Sequence, residues 1–161
     1  MTSEKRNITY VENKKVKNMR VFITVLYALQ FLITMLWPFA EEIIKAGDKY
    51  KVILISPANC IMDLFTSTSA LGFALNFIYS LFVIIPVVCF FFFIIDKKSN
   101  VKCFVSYIAC LACSYLITFE IGPVISVGAV FALVLYVVIM FFTTILMLST
   151  SSYNREFYSK Q

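Results

Sequence analysis

The sequence predicts an all-α membrane protein: an antiparallel four-transmembrane-helix bundle with a short extracytoplasmic cap between helices 1 and 2. Three observations predict it. Apolar residues come in long runs rather than amphipathic periods, and mean hydropathy is +0.88. Only 14% of the residues are charged, where a soluble domain carries about a quarter. The 14 lysines and arginines are also unevenly spread: eleven lie in the two tails and the middle turn, and three in the first loop. Basic residues are retained on the cytoplasmic side, so both termini and the middle turn are expected there, which requires an even number of spans.

The chain divides into a basic tail (1–20), a transmembrane domain (21–148) and a second tail (149–161). The tail is expected to be disordered up to about Lys14 and then to run helically into the first span. Its Asn7-Ile8-Thr9 matches a glycosylation sequon, which is silent in a cytoplasmic tail. Span one, 21–40, is uncharged, with Lys14, Lys15, Lys17 and Arg20 before it and Glu41 and Glu42 after it. Twenty residues at about 1.5 Å each cross a hydrocarbon core of about 30 Å. A signal-peptide core runs only about 7–15 residues, so this run reads as a retained anchor. Trp37 suits the headgroup level, and Pro38 is expected in the last helical turn. Tyr27, Gln30, Thr34 and Trp37 share one helical face, expected to point at other helices.

The outer loop, 41–70, is the one sizeable connection. Glu41-Glu42-Ile43-Ile44-Lys45-Ala46 is expected to extend the helix beyond the membrane, with Gly47 as its stop. Residues 51–56 are β-branched and short, and read as a strand. Ser56-Pro57 reads as an N-cap followed by proline at the first helical position, opening a short helix to about Phe65. That helix would put Ile61, Leu64 and Phe65 on one side, in the interface plane or over the bundle.

Span two, 71–95, holds Pro86 well inside it and a phenylalanine run at 90–93. Proline there frees a carbonyl and bends the helix. Residues 96–102 form a tight basic turn. Span three, 103–119, is short, and Glu120-Ile121-Gly122-Pro123 reads as a compact outer turn. Span four, 124–148, exceeds the bilayer thickness and is expected to tilt.

The chain has no histidine, the usual metal ligand and general base. No cofactor and no metal site is expected. The net charge of +5 is accounted for by topology rather than by a basic face for nucleic acid. The five cysteines, Cys60, Cys89, Cys103, Cys110 and Cys113, are scattered, with Cys60 alone expected to face the outer compartment. Cys110 and Cys113 form a CxxC, a spacing that lets two thiols on one helical turn exchange a disulfide. In mid-span, however, an ionised thiol would be a charge in hydrocarbon. The alternative is a stripe of Cys103, Ser106, Cys110 and Ser114 that lets helices approach closely. Gln30, Asn76, Tyr107, Tyr115 and Tyr136 are the remaining polar groups expected to be buried, with Gln30, Cys110 and Tyr136 at similar depth. Gln30 is expected to contact span three or four. Gly128 and Ala132, with Ser126, mark a close-packing face on span four. No Asp, Glu, Lys or Arg is expected inside a span, which argues against an ion-coupled transporter or an intramembrane protease.

The expected function is therefore that of a small membrane subunit or accessory protein without catalysis of its own. Its partners would be the bilayer and another membrane protein or further copies of itself. A homo-oligomeric channel or transporter component, and a thiol oxidoreductase using Cys110 and Cys113, stay open as alternatives.

Overall fold

The computed structural model describes residues 12–46, 49–97, 99–121 and 124–159. The chain is mostly helical, in the order α1 (Lys14–Leu36), β1 (Ala40–Ala46), β2 (Lys49–Ile55), α2 (Pro57–Leu64), α3 (Ala70–Ile95), α4 (Val101–Leu116) and α5 (Val127–Ser159). Four of these helices are long and apolar enough to cross a membrane, the third by continuing to Phe119.

Helix α1 starts where Asn13 accepts a hydrogen bond from the Lys15 N–H through its side chain, satisfying one of the first turn's open donors. It buries Val16, Arg20, Ile23, Tyr27, Gln30 and Thr34, a 4-3-4-3-4 spacing that keeps one face inward. Val21, Val25, Leu29 and Leu32 point outward and are apolar, as a lipid-facing side must be. Pro38 is not in the last turn of the helix. The helix ends at Leu36, because a residue before proline disfavours the α region, and Trp37 is already extended.

The segment after it is a strand, not the helical extension that its composition suggests. Residues 40–46 pair antiparallel with β2, from Ala40 opposite Ile55 to Ala46 opposite Lys49. Glu, Ile, Lys and Ala are compatible with a helix locally, but the ladder supplied by residues 49–55 wins. Residues 51–55 are extended within β2, as their β-branched run predicts. The base of this hairpin is fastened to the start of α5. Ser126 N–H donates to Phe39 O at 3.0 Å, Ala40 bridges Ile125, and Ser126 Oγ donates to Glu41 Oε1 at 2.9 Å.

Helix α2 has Ser56 at its N-cap position and Pro57 at its first helical position, although the Ser56 hydroxyl makes no capping bond. Cys60 does not face outward. It is buried, and burial with Asp63 nearby pushes its thiol up to about 11. Phe65 stands 87% exposed beyond the helix rather than sharing the half-buried side of Ile61 and Leu64. Helix α3 begins at a Ser69 cap that accepts from Gly72 N–H, and contains Pro86.

Helix α4 runs into a π-helical turn, Ile117–Ile121, so Glu120 and Ile121 belong to the helical column and not to a separate turn. Helix α5 starts at Val127 and continues through residues 149–159, so most of the polar tail prolongs the helix. Its 33 residues make about 50 Å, well beyond a hydrocarbon core of about 30 Å. The tail up to 11, its sequon, Gly47, Lys98, Gly122-Pro123 and Lys160 lie outside the described residues.

Helix α1 packs on both α3 and α5, α4 packs on α5, and α2 packs on α3. The core between them is built from Ile23, Tyr27, Phe39, Phe82, Phe93, Ile117, Tyr136, Ile139 and Leu146, all without exposed surface.

Candidate functional site

The side chains able to do chemistry or bind a polar ligand gather in two places along the helices. The first is the middle. Tyr27 on α1 points across to α4, where its hydroxyl shares hydrogen bonds with Ser106 Oγ and, at 3.3 Å, with Cys110 Sγ. Ser106 passes the network to Thr143 of α5 at 3.3 Å. Cys89 of α3 borders the same Tyr27 hydroxyl. One turn further along, Tyr136 of α5 neighbours Gln30 of α1 and Cys113 of α4. Gln30 and Tyr136 have no exposed surface, yet Gln30 Nε2 and Oε1 and the Tyr136 hydroxyl lack hydrogen-bond partners among the described residues. Orphan polar atoms of this kind are uncommon in folded cores and cost about 1–3 kcal/mol each.

The helical period explains the gathering. On α4, Cys103, Ser106, Cys110 and Cys113 recur three or four residues apart and are all buried. Ser114 lies one residue further round and is only partly buried, with an unpartnered hydroxyl. Tyr107 and Tyr115 lie off the buried face of α4 and are exposed, so neither belongs to the buried set. They follow Ser106 and Ser114 directly, and one residue is about 100° of helix turn. Asn76 stands apart from the middle group: its Nδ2 donates to Ser67 Oγ at 2.8 Å, fastening the α2–α3 connection. Gly128 and Ala132 are buried on α5. A side chain at Gly128 would meet the carbonyl oxygen of Pro38 and come within 2.7 Å of Trp37 Cβ. That close approach is internal to the chain.

The second gathering lies near residues 96–102 and consists of ionised side chains that flank the expected spans 21–40, 71–95 and 103–119. Arg20 is only 7% exposed. Its Nε and Nη2 donate to the two carboxylate oxygens of Glu12 at 2.8 and 2.9 Å, and Nη1 donates to Phe93 O at 2.7 Å. Lys102 is 1% exposed and donates to Ser99 O at 2.7 Å, with Asp96 Oδ2 at 3.8 Å. Asp96 in turn accepts from Ser99 N–H and Oγ. A charge run beside an apolar segment reads as solvated, which is why these residues escape a sequence reading. One signal was present: Arg20 continues the inward spacing of Ile23, Tyr27 and Gln30.

Among the described residues, no cluster of three His, Cys, Asp or Glu side chains could hold a metal ion. The cysteines of the CxxC, Cys110 and Cys113, are both fully buried thiols.

Four long apolar helices with an apolar outer surface define a multi-pass integral membrane protein. Comparison with protein families, with curated proteins and with solved structures finds no match for the chain.

Proposed function

We propose that this protein is a non-catalytic subunit or accessory component of a membrane complex, docking on a membrane-protein partner through its hairpin and α2. In this reading the four long helices form an antiparallel bundle, the termini and residues 96–102 lie in the cytoplasm, and residues 40–65 form the extracytoplasmic cap. The Arg20–Phe93 contact at one end and the Phe39–Phe82 ring contact at the other support opposite directions for α1 and α3. The basic residues beside the first end support the cytoplasmic assignment.

One observation carries the docking role. The cap leaves Ile43, Tyr50, Val52, Leu54, Met62 and Phe65 exposed, with Tyr50 at 74% and Met62 at 75%. Large apolar groups clustered on a part of the chain that does not cross the membrane mark an interaction surface. The hairpin also has only two strands, so β2 keeps an outer edge open to main-chain pairing. Chemical crosslinking in native membranes, followed by purification in mild detergent, should recover one partner in fixed ratio. A Val52→Lys, Leu54→Lys variant should lose it while keeping its helices. Recovery of a lone monomer from the unaltered protein sinks the proposal.

A homo-oligomeric channel or transporter component is the second reading, supported by the unpartnered Gln30 and Tyr136 in the middle of the helices. Solute flux in liposomes that Gln30→Leu abolishes would favour it. A thiol oxidoreductase would need Cys110 or Cys113 to meet a co-substrate, and both are packed between helices.

A further inference from the structure

The surface between α1 and α3 carries a groove that neither helix fills. It has a volume of about 430 Å³ and is lined by Tyr27, Ala28, Phe31, Leu32, Pro86 and Phe90, with Val87 and Phe91 completing the wall. Apart from the Tyr27 hydroxyl, which is turned inward to Ser106 and Cys110, the lining is apolar. Pro86 lies inside α3, lines the groove and cannot donate to the helix turn before it.

The α1 wall continues downward along a single face. Lys17, Thr24, Ala28 and Phe31 follow one another at seven, four and three residues, so they lie on one line of the helix. Lys14 adds to the same side, one turn below Lys17. Both lysines are exposed, and neither forms an ion pair with a described residue, whereas Arg20 is committed to Glu12 and Phe93. Ala28 is eleven residues from Lys17, about 16 Å of helix rise. One leaflet of the hydrocarbon core is about 15 Å deep. The groove therefore sits at acyl-chain depth, directly above two unneutralised cations at headgroup depth.

We propose that this α1–α3 groove is a binding site for a single anionic phospholipid of the surrounding bilayer. One acyl chain fills the groove beside Ala28 and Pro86, and the phosphate-bearing headgroup is held by Lys17 and Lys14. The inference rests on the helices crossing a membrane and is independent of any protein partner.

Native mass spectrometry of the full chain, with phosphatidylglycerol and phosphatidylcholine of equal chain length, tests it. The expected result is one tightly retained lipid, predominantly phosphatidylglycerol. Each lysine near an anionic surface contributes about fivefold in affinity, so Lys14→Gln with Lys17→Gln should reduce the preference by about 25-fold. Filling the groove with Ala28→Phe should lower retention of both lipids and leave their ratio unchanged. Val87→Phe on the opposite wall serves the same purpose where Ala28→Phe fails to fold. Equal retention of the two lipids overturns the proposal. So does a preference that survives the double lysine change, or an occupancy that neither groove-filling change lowers, which would be a lipid annulus and no site.

Discussion

The two ends of the long helices are joined by opposite means. At one end long charged side chains reach inward: Arg20 spans from α1 to Glu12 and to the last turn of α3, and Lys102 folds back to the Ser99 carbonyl. At the other end almost nothing reaches. The start of α5 comes so close to the chain leaving α1 that Gly128 has no room for a side chain, and a main-chain bond from Ser126 to Phe39 completes the joint. The first kind of joint needs every donor satisfied, because an unpaired buried ion is far more costly than an unpaired neutral group. The second kind needs the absence of atoms. Charges are tolerated only where each has partners, and close backbone approach only where the residue is small.

That contrast is tested most severely at Arg20. Arg20→Ala leaves the Glu12 carboxylate and the Phe93 carbonyl without their partner, and a broken buried pair loses about 3–5 kcal/mol. Since the Glu12 side chain keeps some exposed surface, it can rehydrate, and the lower end of that range is expected. Arg20→Lys should recover only part of it, because an ammonium cannot serve the carboxylate fork and the carbonyl together. Unfolding followed by circular dichroism in a detergent–denaturant titration reads both. A loss under 1 kcal/mol for the alanine variant would mean that the charged end is decoration.

At the other end, Gly128→Ala places a methyl group against the Pro38 carbonyl and within 2.7 Å of Trp37 Cβ. Both obstacles are fixed parts of the chain and not the far ends of flexible side chains. Overpacking of this kind destabilises by about 1–3 kcal/mol. The same titration should show it, together with a change in Trp37 fluorescence, since this is the chain's one tryptophan. Unchanged stability with an unchanged spectrum would show that the joint is looser than its geometry. Ser126→Ala is a milder probe of the same joint. It removes the hydroxyl bond to Glu41 but keeps the main-chain bond to Phe39, and about 1 kcal/mol is expected. If its effect matched that of Gly128→Ala, side-chain bonding and not close approach would govern this end.

The same contrast explains what could be read from the sequence. Helix α3 was legible almost to the residue, since a long, uncharged and mainly apolar run ends at a serine cap on one side and at Asp96 on the other. The inward face of α1 was legible too: the period that groups Tyr27, Gln30 and Thr34 is local information. Trp37 broke from that face because the chain stops being helical before Pro38. The strand at 40–46 was not legible, because its hydrogen-bond partner lies on the far side of the hairpin. Arg20 and Lys102 were hidden for a related reason. A boundary drawn at the first charge assumes that charge means water, whereas here Glu12, Ser99 and main-chain carbonyls take the place of water. Tyr107 and Tyr115 were misjudged by a single residue, about 100° of helix turn, which carries a side chain off the buried face to an exposed position.

The middle of the protein offers the finest test, because it obeys neither rule. Gln30 is fully buried and its amide is unpartnered, but it carries no net charge, so the penalty is small enough for packing to carry. Gln30→Leu replaces the amide with an apolar group of similar volume, removes two unpartnered polar atoms and should stabilise the protein by about 1–3 kcal/mol. Tyr136→Phe should act likewise, since its hydroxyl is also unpartnered. The double change distinguishes two situations. If the two groups hold nothing between them, their effects add; if they share a buried water, removing either already releases it, and the second change adds little. A loss of 2 kcal/mol or more from either single change would show that the middle is as strictly satisfied as the charged end. Neutral polar atoms would then follow the same requirement as ions in this fold, and the distinction between the two would fail.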